Sequence, residues 1–120
     1  MPEQPERRIS ERFAVGADTT CTFISPVVAG FGGARIRDIS MEGIGLVMSR
    51  RVEPGTMLAV SMSNGPRGYT KTALVRVVHA TAQPNGWLVG GTFQVPLTYQ
   101  ELTALVMQGP SAGEPWRIRT

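Results

Sequence analysis

Two short segments carry the side chains whose types and spacing suit a definite chemistry. In the first, Arg8 and Arg12 lie four residues apart and Arg7 comes directly before Arg8; in the second, Asp38 and Ser40 are two residues apart. Guanidinium groups bind phosphates, or the O6 and N7 atoms of guanine, through paired hydrogen bonds. A carboxylate accepts from the N1–H and amino groups of guanine, and a hydroxyl donates to phosphate or accepts from a base. Together the segments suit a ligand that contains guanine and phosphate.

The second segment lies at the end of a predicted strand. Residues 34–39 alternate as a β-strand does, with one face toward solvent or a ligand, and Arg35 and Arg37 are interpreted as solvated strand charges. If the strand continues through Ser40, its two-residue period predicts that Asp38 and Ser40 point to the same side. Gly43 is expected to permit a turn with positive φ, where a flat ring can approach the backbone.

Short β-type segments separated by glycine, proline and asparagine make up most of the chain. Six strands are predicted, over 19–25, 34–39, 43–48, 57–62, 69–80 and 87–95. Residues 64–68 and Asn85-Gly86 are typical of hairpin turns. Thr98 and Glu101 form a capping-box pair that predicts one late helix, which residues 109–110 are expected to end. Short strands joined by tight turns favour an antiparallel barrel or sandwich.

Composition and charge exclude several classes of protein. The 120 residues suffice for one domain with a core that needs no disulfide or structural metal, and Cys21 has no second cysteine to pair with. No apolar stretch reaches 18 residues and the polar segment 1–12 lacks a secretory core, so we predict a cytoplasmic protein without membrane insertion. The net charge of +3 is too small for a protein that coats long nucleic acids.

Taken in order, the arginine segment and the Asp38-x-Ser40-x-x-Gly43 segment resemble the RxxxR and D/NxSxxG motifs of PilZ domains. One predicted strand and a connection separate them, as in that family. The later run from Gly90 to Phe93 is similar to the G-x-x-F of the family's late strand. The resemblance extends from the first arginine to the C-terminal helix.

The resemblance implies an all-β fold, a six-stranded antiparallel barrel with one C-terminal helix, that binds cyclic di-GMP as a ligand and has no cofactor. It divides the chain into a flexible arm over 1–12, a barrel with its helix over 13–109, and a tail over 110–120. The ligand-binding residues that it implies are Arg7, Arg8, Arg12, Asp38, Ser40, Gly43 and Gly90. Relatives with an arginine directly before RxxxR tend to bind two stacked ligand molecules, so an intercalated ligand dimer is predicted.

The function implied is that of a second-messenger receptor, in which the ligand orders the arm over the barrel and signals to an unidentified protein partner. The alternative is an interaction adaptor of the same fold that binds no nucleotide. No nucleophile–base pair, paired carboxylates or metal-ligand set stands at recognisable spacing, and His79 lacks metal-binding partners, so no catalysis and no metal are predicted. Only eight aromatic residues are present, too few to predict RNA or DNA as a partner.

Overall fold

The computed structural model describes residues 11–24 and 34–107 of the chain. This part contains seven strands and one helix. They are β1 (Phe13–Ala14), β2 (Thr19–Phe23), β3 (Ala34–Ile39), β4 (Gly43–Met48), β5 (Met57–Asn64), β6 (Tyr69–Gln83), β7 (Gly86–Phe93) and α1 (Tyr99–Val106). The predictions for Arg7, Arg8 and the tail over 110–120 fall outside the described residues.

The strands form a single antiparallel sheet in the order β1-β3-β4-β7-β6-β5-β2. The sheet curls, so that β2 at one end of the order comes close to β3 near the other end. The prediction of an antiparallel barrel-like fold with a C-terminal helix is confirmed. There are seven strands instead of six because Phe13 and Ala14 pair with Ile39 and Asp38 of β3, a two-residue strand too short to produce a sequence pattern.

The inner face of the curled sheet carries the hydrophobic core. Alternate residues of the strands point inward, and burying each large aliphatic side chain stabilises the fold by about 1.5–3 kcal/mol. Helix α1 lies against β5 and β6 and adds two buried leucines to this core. The largest fully buried side chains are Ile39, Ile44, Leu46, Met48, Val52, Leu58, Val60, Met62, Val75, Val77 and Leu105.

Helix α1 begins as its sequence predicts. Thr98 is its N-cap: the Thr98 hydroxyl accepts from the backbone N–H of Glu101 at 3.0 Å, and the Glu101 carboxylate accepts from the N–H of Thr98 at 2.9 Å. Lys71 of β6 forms an ion pair with the same carboxylate at 2.9 Å. No helix in the described part of the chain is long and apolar enough to cross a membrane.

The C-terminal end of α1 is held by polar side chains of the sheet. The last carbonyls of a helix have no partner within the helix. The fully buried Asn64 of β5 donates from its amide nitrogen to the carbonyls of Ala104 and Leu105, each at 3.1 Å, and of Met107 at 2.8 Å. Thr19 of β2 donates its hydroxyl hydrogen to the carbonyl of Leu105 at 2.6 Å. These bonds fix the helix across the end of the sheet.

Candidate functional site

One row of residues crosses four neighbouring strands on the outer face of the sheet. Asp38 of β3 pairs with Gly45 of β4, Gly45 pairs with Gly90 of β7, and Gly90 pairs with His79 of β6. With neighbouring strands about 4.8 Å apart, the row is about 14 Å long. Its two middle members have no side chain, so the backbone forms a floor between a carboxylate at one end and an imidazole at the other.

A β-bulge in β3 sets the direction of the first of these side chains. The pairing with β4 shifts between Ile36 and Asp38. As a result Ile36 and Ile39 both point into the core, 2% and 0% exposed, while Arg37 and Asp38 both lie on the outer face. The prediction that Asp38 and Ser40 share one side applies to a strand that continues through Ser40; β3 ends at Ile39 and Ser40 lies in the turn, so the two-residue period does not extend to it.

A second bulge in β6 acts in the same way on the opposite side of the row. The pairing with β7 shifts between Val77 and His79. Val77 stays in the core at 1% exposure, while Val78 and His79 both lie on the outer face. The two bulges together place four neighbouring outward side chains around the two glycines.

The two glycines are covered closely by the side chains at the ends of the row. A methyl group on Gly45 would lie 2.7 Å from Oδ1 of Asp38, and one on Gly90 would lie 2.5 Å from Nε2 of His79. No larger residue fits at either position while these side chains keep their places. The row borders a cavity of about 370 Å³, to which Arg12 also contributes.

Two arginines bind the Asp38 carboxylate. Arg12 donates from Nε at 3.0 Å and from Nη2 at 2.7 Å to Oδ1, and Arg37 donates from Nε to Oδ2 at 3.0 Å. Both guanidinium groups remain about half exposed, whereas Asp38 is 15% exposed. The cluster has two positive charges and one negative charge, so it attracts anions.

The carboxylate of Asp38 is held in its ionised form. Partial burial has the largest single influence on its pKa and acts to raise it. The hydrogen bonds and charges of Arg12 and Arg37 together outweigh burial, so the pKa lies below its ordinary value. At neutral pH Asp38 is therefore an acceptor of hydrogen bonds and not a donor.

Ser40 lies in the turn between β3 and β4 and is 1% exposed. Its hydroxyl oxygen accepts from the backbone N–H of Gly43 at 3.0 Å and of Glu42 at 3.2 Å. The backbone N–H of Ser40 donates to the carbonyl of Gly43 at 2.9 Å. These bonds close the turn that follows Asp38, so Ser40 contributes to the position of that carboxylate.

Gly43 does not adopt the positive φ that its sequence context predicts; in the described residues such values occur at Gly55, Gly68 and Gly86. It is the first residue of β4 and lies against β7. A methyl group on it would lie 2.5 Å from the carbonyl oxygen of Gly91. The position requires glycine because two backbones approach closely, and not because of a left-handed turn.

We expect Gly43→Ala to lower the free energy of unfolding by about 1–3 kcal/mol, because the clash is with backbone that cannot move aside cheaply. Urea denaturation measures this loss. Gly65→Ala is the matched control, since a methyl group on Gly65 meets nothing within 4 Å. Equal stability of the two variants would contradict the close approach of β4 and β7.

The structure brings some of the sequence-predicted site residues together and leaves others apart. Arg12, Asp38 and Gly90 border the same cavity. Ser40 and Gly43 form the adjoining turn, and a direct contact between either residue and a ligand stays a prediction. Arg7 and Arg8 lie outside the described residues.

Sequence reasoning did not assign to the site three residues of the cavity that carry its charge, its floor and its far end. They are Arg37, Gly45 and His79. Arg37 was assigned to solvent, and His79 was considered only as a metal ligand. Their position depends on the pairing register across four strands, which no local pattern reveals. In the described part of the chain no three His, Cys, Asp or Glu side chains are grouped so that they could hold a metal ion.

The cavity offers hydrogen-bond donors, one ionised acceptor and a flat backbone floor. These groups suit a planar, anionic ligand that is held through its edges and charges. The comparisons with known proteins point in the same direction. The family model described as PilZ domain matches residues 6–108, which include every described strand and the helix. No curated protein and no solved structure gives a significant match.

Proposed function

The chain belongs to the PilZ domain family, whose members in general bind cyclic di-GMP, and from this premise we propose that it is a cyclic di-GMP receptor with its base site over Gly45 and Gly90. The observation that carries the proposal is the row in which an ionised Asp38 stands beside a floor of two glycines. A planar base can lie flat on peptide groups only where no side chain intervenes, so the Asp38 and His79 side chains that cover the two glycines must turn outward when it binds.

The Asp38 carboxylate accounts for the recognition of guanine. It accepts hydrogen bonds from N1–H and the amino group, a pair of adjacent donors that adenine does not present on the corresponding edge. A well-formed pair of such bonds contributes about 1–3 kcal/mol to discrimination against the wrong base. Hydrogen bonds from the two arginines orient the carboxylate in the free protein.

Arginine side chains account for the binding of the ligand's phosphate groups. Arg12 and Arg37 have about half of their side-chain surface exposed, so each can turn from Asp38 toward a phosphate oxygen. Arg8 belongs to the same motif as Arg12 and is proposed to bind phosphate and guanine in the same way. Ligand binding would thus draw residues 7–12 over the outer face of the sheet.

We expect two molecules of cyclic di-GMP to bind each chain as an intercalated pair, because Arg7 directly precedes the RxxxR motif. Titration calorimetry of the full chain should give a stoichiometry near two. Arg7→Ala should lower the stoichiometry to one while the first molecule still binds. A stoichiometry of one for the unaltered chain would contradict the dimer and leave the receptor proposal standing. Absence of binding at saturating ligand would contradict the receptor itself.

The output of the receptor is proposed to be a contact with a protein partner in the cytoplasm. A segment held across the sheet by ligand presents a surface that the free protein lacks.

One observation favours an adaptor that binds no nucleotide. Both oxygens of Asp38 already accept hydrogen bonds from arginine, so the cluster also serves as a self-contained ion pair on the surface. The same titration separates the two functions, because an adaptor would release no heat with cyclic di-GMP.

A further inference from the structure

We propose that His79 contacts the ligand directly and determines the affinity for purine bases by donating a ring N–H to the base. The inference rests on the proposed function, whose base site it completes. His79 occupies the end of the four-strand row opposite Asp38. No motif of the sequence marks it.

Three observations place His79 at the ligand. The bulge in β6 turns it outward beside Val78, although a regular strand would have buried one of the two. Its imidazole lies over Gly90, with Nε2 2.5 Å and Cε1 2.6 Å from the position of a methyl group there. Within the described part of the chain this imidazole has no hydrogen bond or ion pair. It is therefore a polar group that borders the cavity and is free to bind.

The chemistry of a purine matches the two ends of the row. Asp38 holds the edge with N1–H and the amino group, so the five-membered ring with its acceptor N7 points across the floor toward β6. An imidazole carries at least one N–H donor, and a hydrogen bond to N7 is the contact that this arrangement permits. The backbones of β3 and β6 are about 14 Å apart, so one flat base with a hydrogen bond at each end fits once the side chains of Asp38 and His79, which lie over Gly45 and Gly90, turn outward. A pyrimidine held at Asp38 lacks the second ring and has no N7 to offer.

The imidazole ring acts as a hydrogen-bond donor and does not only line the cavity. In the free protein the imidazole covers Gly90, so the base must displace it from the floor or slide beneath it. A side chain that only filled space would be replaced without loss by another aromatic ring. A hydrogen-bond donor could be replaced without loss of affinity only by a residue that has an N–H group at a similar distance from the ligand.

The experiment combines three variants with a modified ligand. Cyclic di-GMP and its 7-deaza analogue, which lacks N7, are titrated into the full chain and into the variants His79→Ala, His79→Phe and His79→Gln. Thr81→Ala, two residues further along the exposed face of β6 and outside the cavity, is the matched control.

We expect His79→Ala and His79→Phe to bind cyclic di-GMP about 3- to 10-fold more weakly, and His79→Gln to recover part of the loss. The 7-deaza analogue should bind the unaltered chain more weakly than cyclic di-GMP does, and this difference in affinity should be smaller in His79→Ala by the factor that His79→Ala loses with cyclic di-GMP. Full affinity in His79→Ala, or a loss of affinity on removal of N7 that is as large in His79→Ala as in the unaltered chain, would overturn the role of His79 alone. Failure of the unaltered chain to bind cyclic di-GMP would overturn the receptor proposal, and this inference with it.

Discussion

Replacement of Arg12 by alanine is expected to weaken cyclic di-GMP binding about 10- to 100-fold and to leave the fold intact. A hydrogen bond to a charged group contributes about 1.5–3 kcal/mol, which corresponds to that range of affinity. Arg12 is the described arginine of the RxxxR motif, and its guanidinium lies on the rim of the cavity with 46% of its side-chain surface exposed. It has no part in the core, so its loss removes a ligand contact and an exposed ion pair that is worth little to stability.

Titration calorimetry together with thermal denaturation checks this expectation. Arg67→Ala is the matched control, because it removes the same charge from the turn between β5 and β6, outside the cavity. A loss of affinity that both variants share is a general effect of charge. The additional loss of affinity in Arg12→Ala measures the contribution of the contact between Arg12 and the ligand. Arg8→Ala is expected to behave like Arg12→Ala. An Arg12→Ala protein that binds within twofold of the unaltered chain would remove Arg12 from the site.

The largest expected effect on stability comes from Asn64→Asp, which should lower the free energy of unfolding by about 3–5 kcal/mol at neutral pH. The two side chains have nearly the same shape. The amide of Asn64 donates to three carbonyls at the end of α1 and is fully buried. A carboxylate has no hydrogen to donate, so it would place a negative charge against those oxygens, without a partner and away from water.

The destabilisation should depend on pH in a defined direction. Burial and the neighbouring carbonyls raise the pKa of the introduced carboxyl above its value in the unfolded chain, so the folded variant binds the additional proton. Its stability relative to the unaltered chain is therefore greatest below the unfolded pKa and falls as the pH rises through the folded pKa. Asp38 follows the opposite rule: its lowered pKa means that its ion pairs stabilise at neutral pH and are lost as the pH falls.

Urea denaturation near pH 4 and near pH 8 separates these contributions. The ion pairs of Asp38 are common to both proteins and cancel in the difference between them. Asn85→Asp makes the same chemical change at an exposed residue of the β6–β7 turn and should leave stability almost unchanged at both values. If the loss of unfolding free energy in Asn64→Asp did not grow as the pH rises, the site would have to admit water or a counter-ion.

The strands were predictable because most of them follow local rules. The bounds of β3 and β4 match the predicted ranges, since each strand alternates or is uniformly apolar between clear breaks. The start of α1 follows from the pair Thr98 and Glu101, whose reciprocal bonds depend only on neighbouring residues. By contrast β1 has two residues, and its existence depends on a partner 24 or more residues away.

The site was predictable in composition but not in arrangement. Motif spacing predicted that Arg12 and Asp38 belong to one site, and the structure places both at one cavity. The roles of Ser40 and Gly43 in the turn could not be read from spacing, because a hydroxyl that holds a backbone and one that holds a ligand look alike in a sequence. The glycine floor depends on the register between β4 and β7, which only the folded sheet defines.

The bulges have a consequence for how this surface can change during evolution. A regular strand presents one outward side chain in every two residues, whereas each bulge presents two in succession. Deletion of Arg37 or of Val78 would restore ordinary alternation and still leave Asp38 or His79 outward. Relatives can therefore gain or lose one outward-facing group by a change of a single residue in length, with every other residue kept. An alignment that forbids gaps inside strands would misplace the neighbours of both bulges.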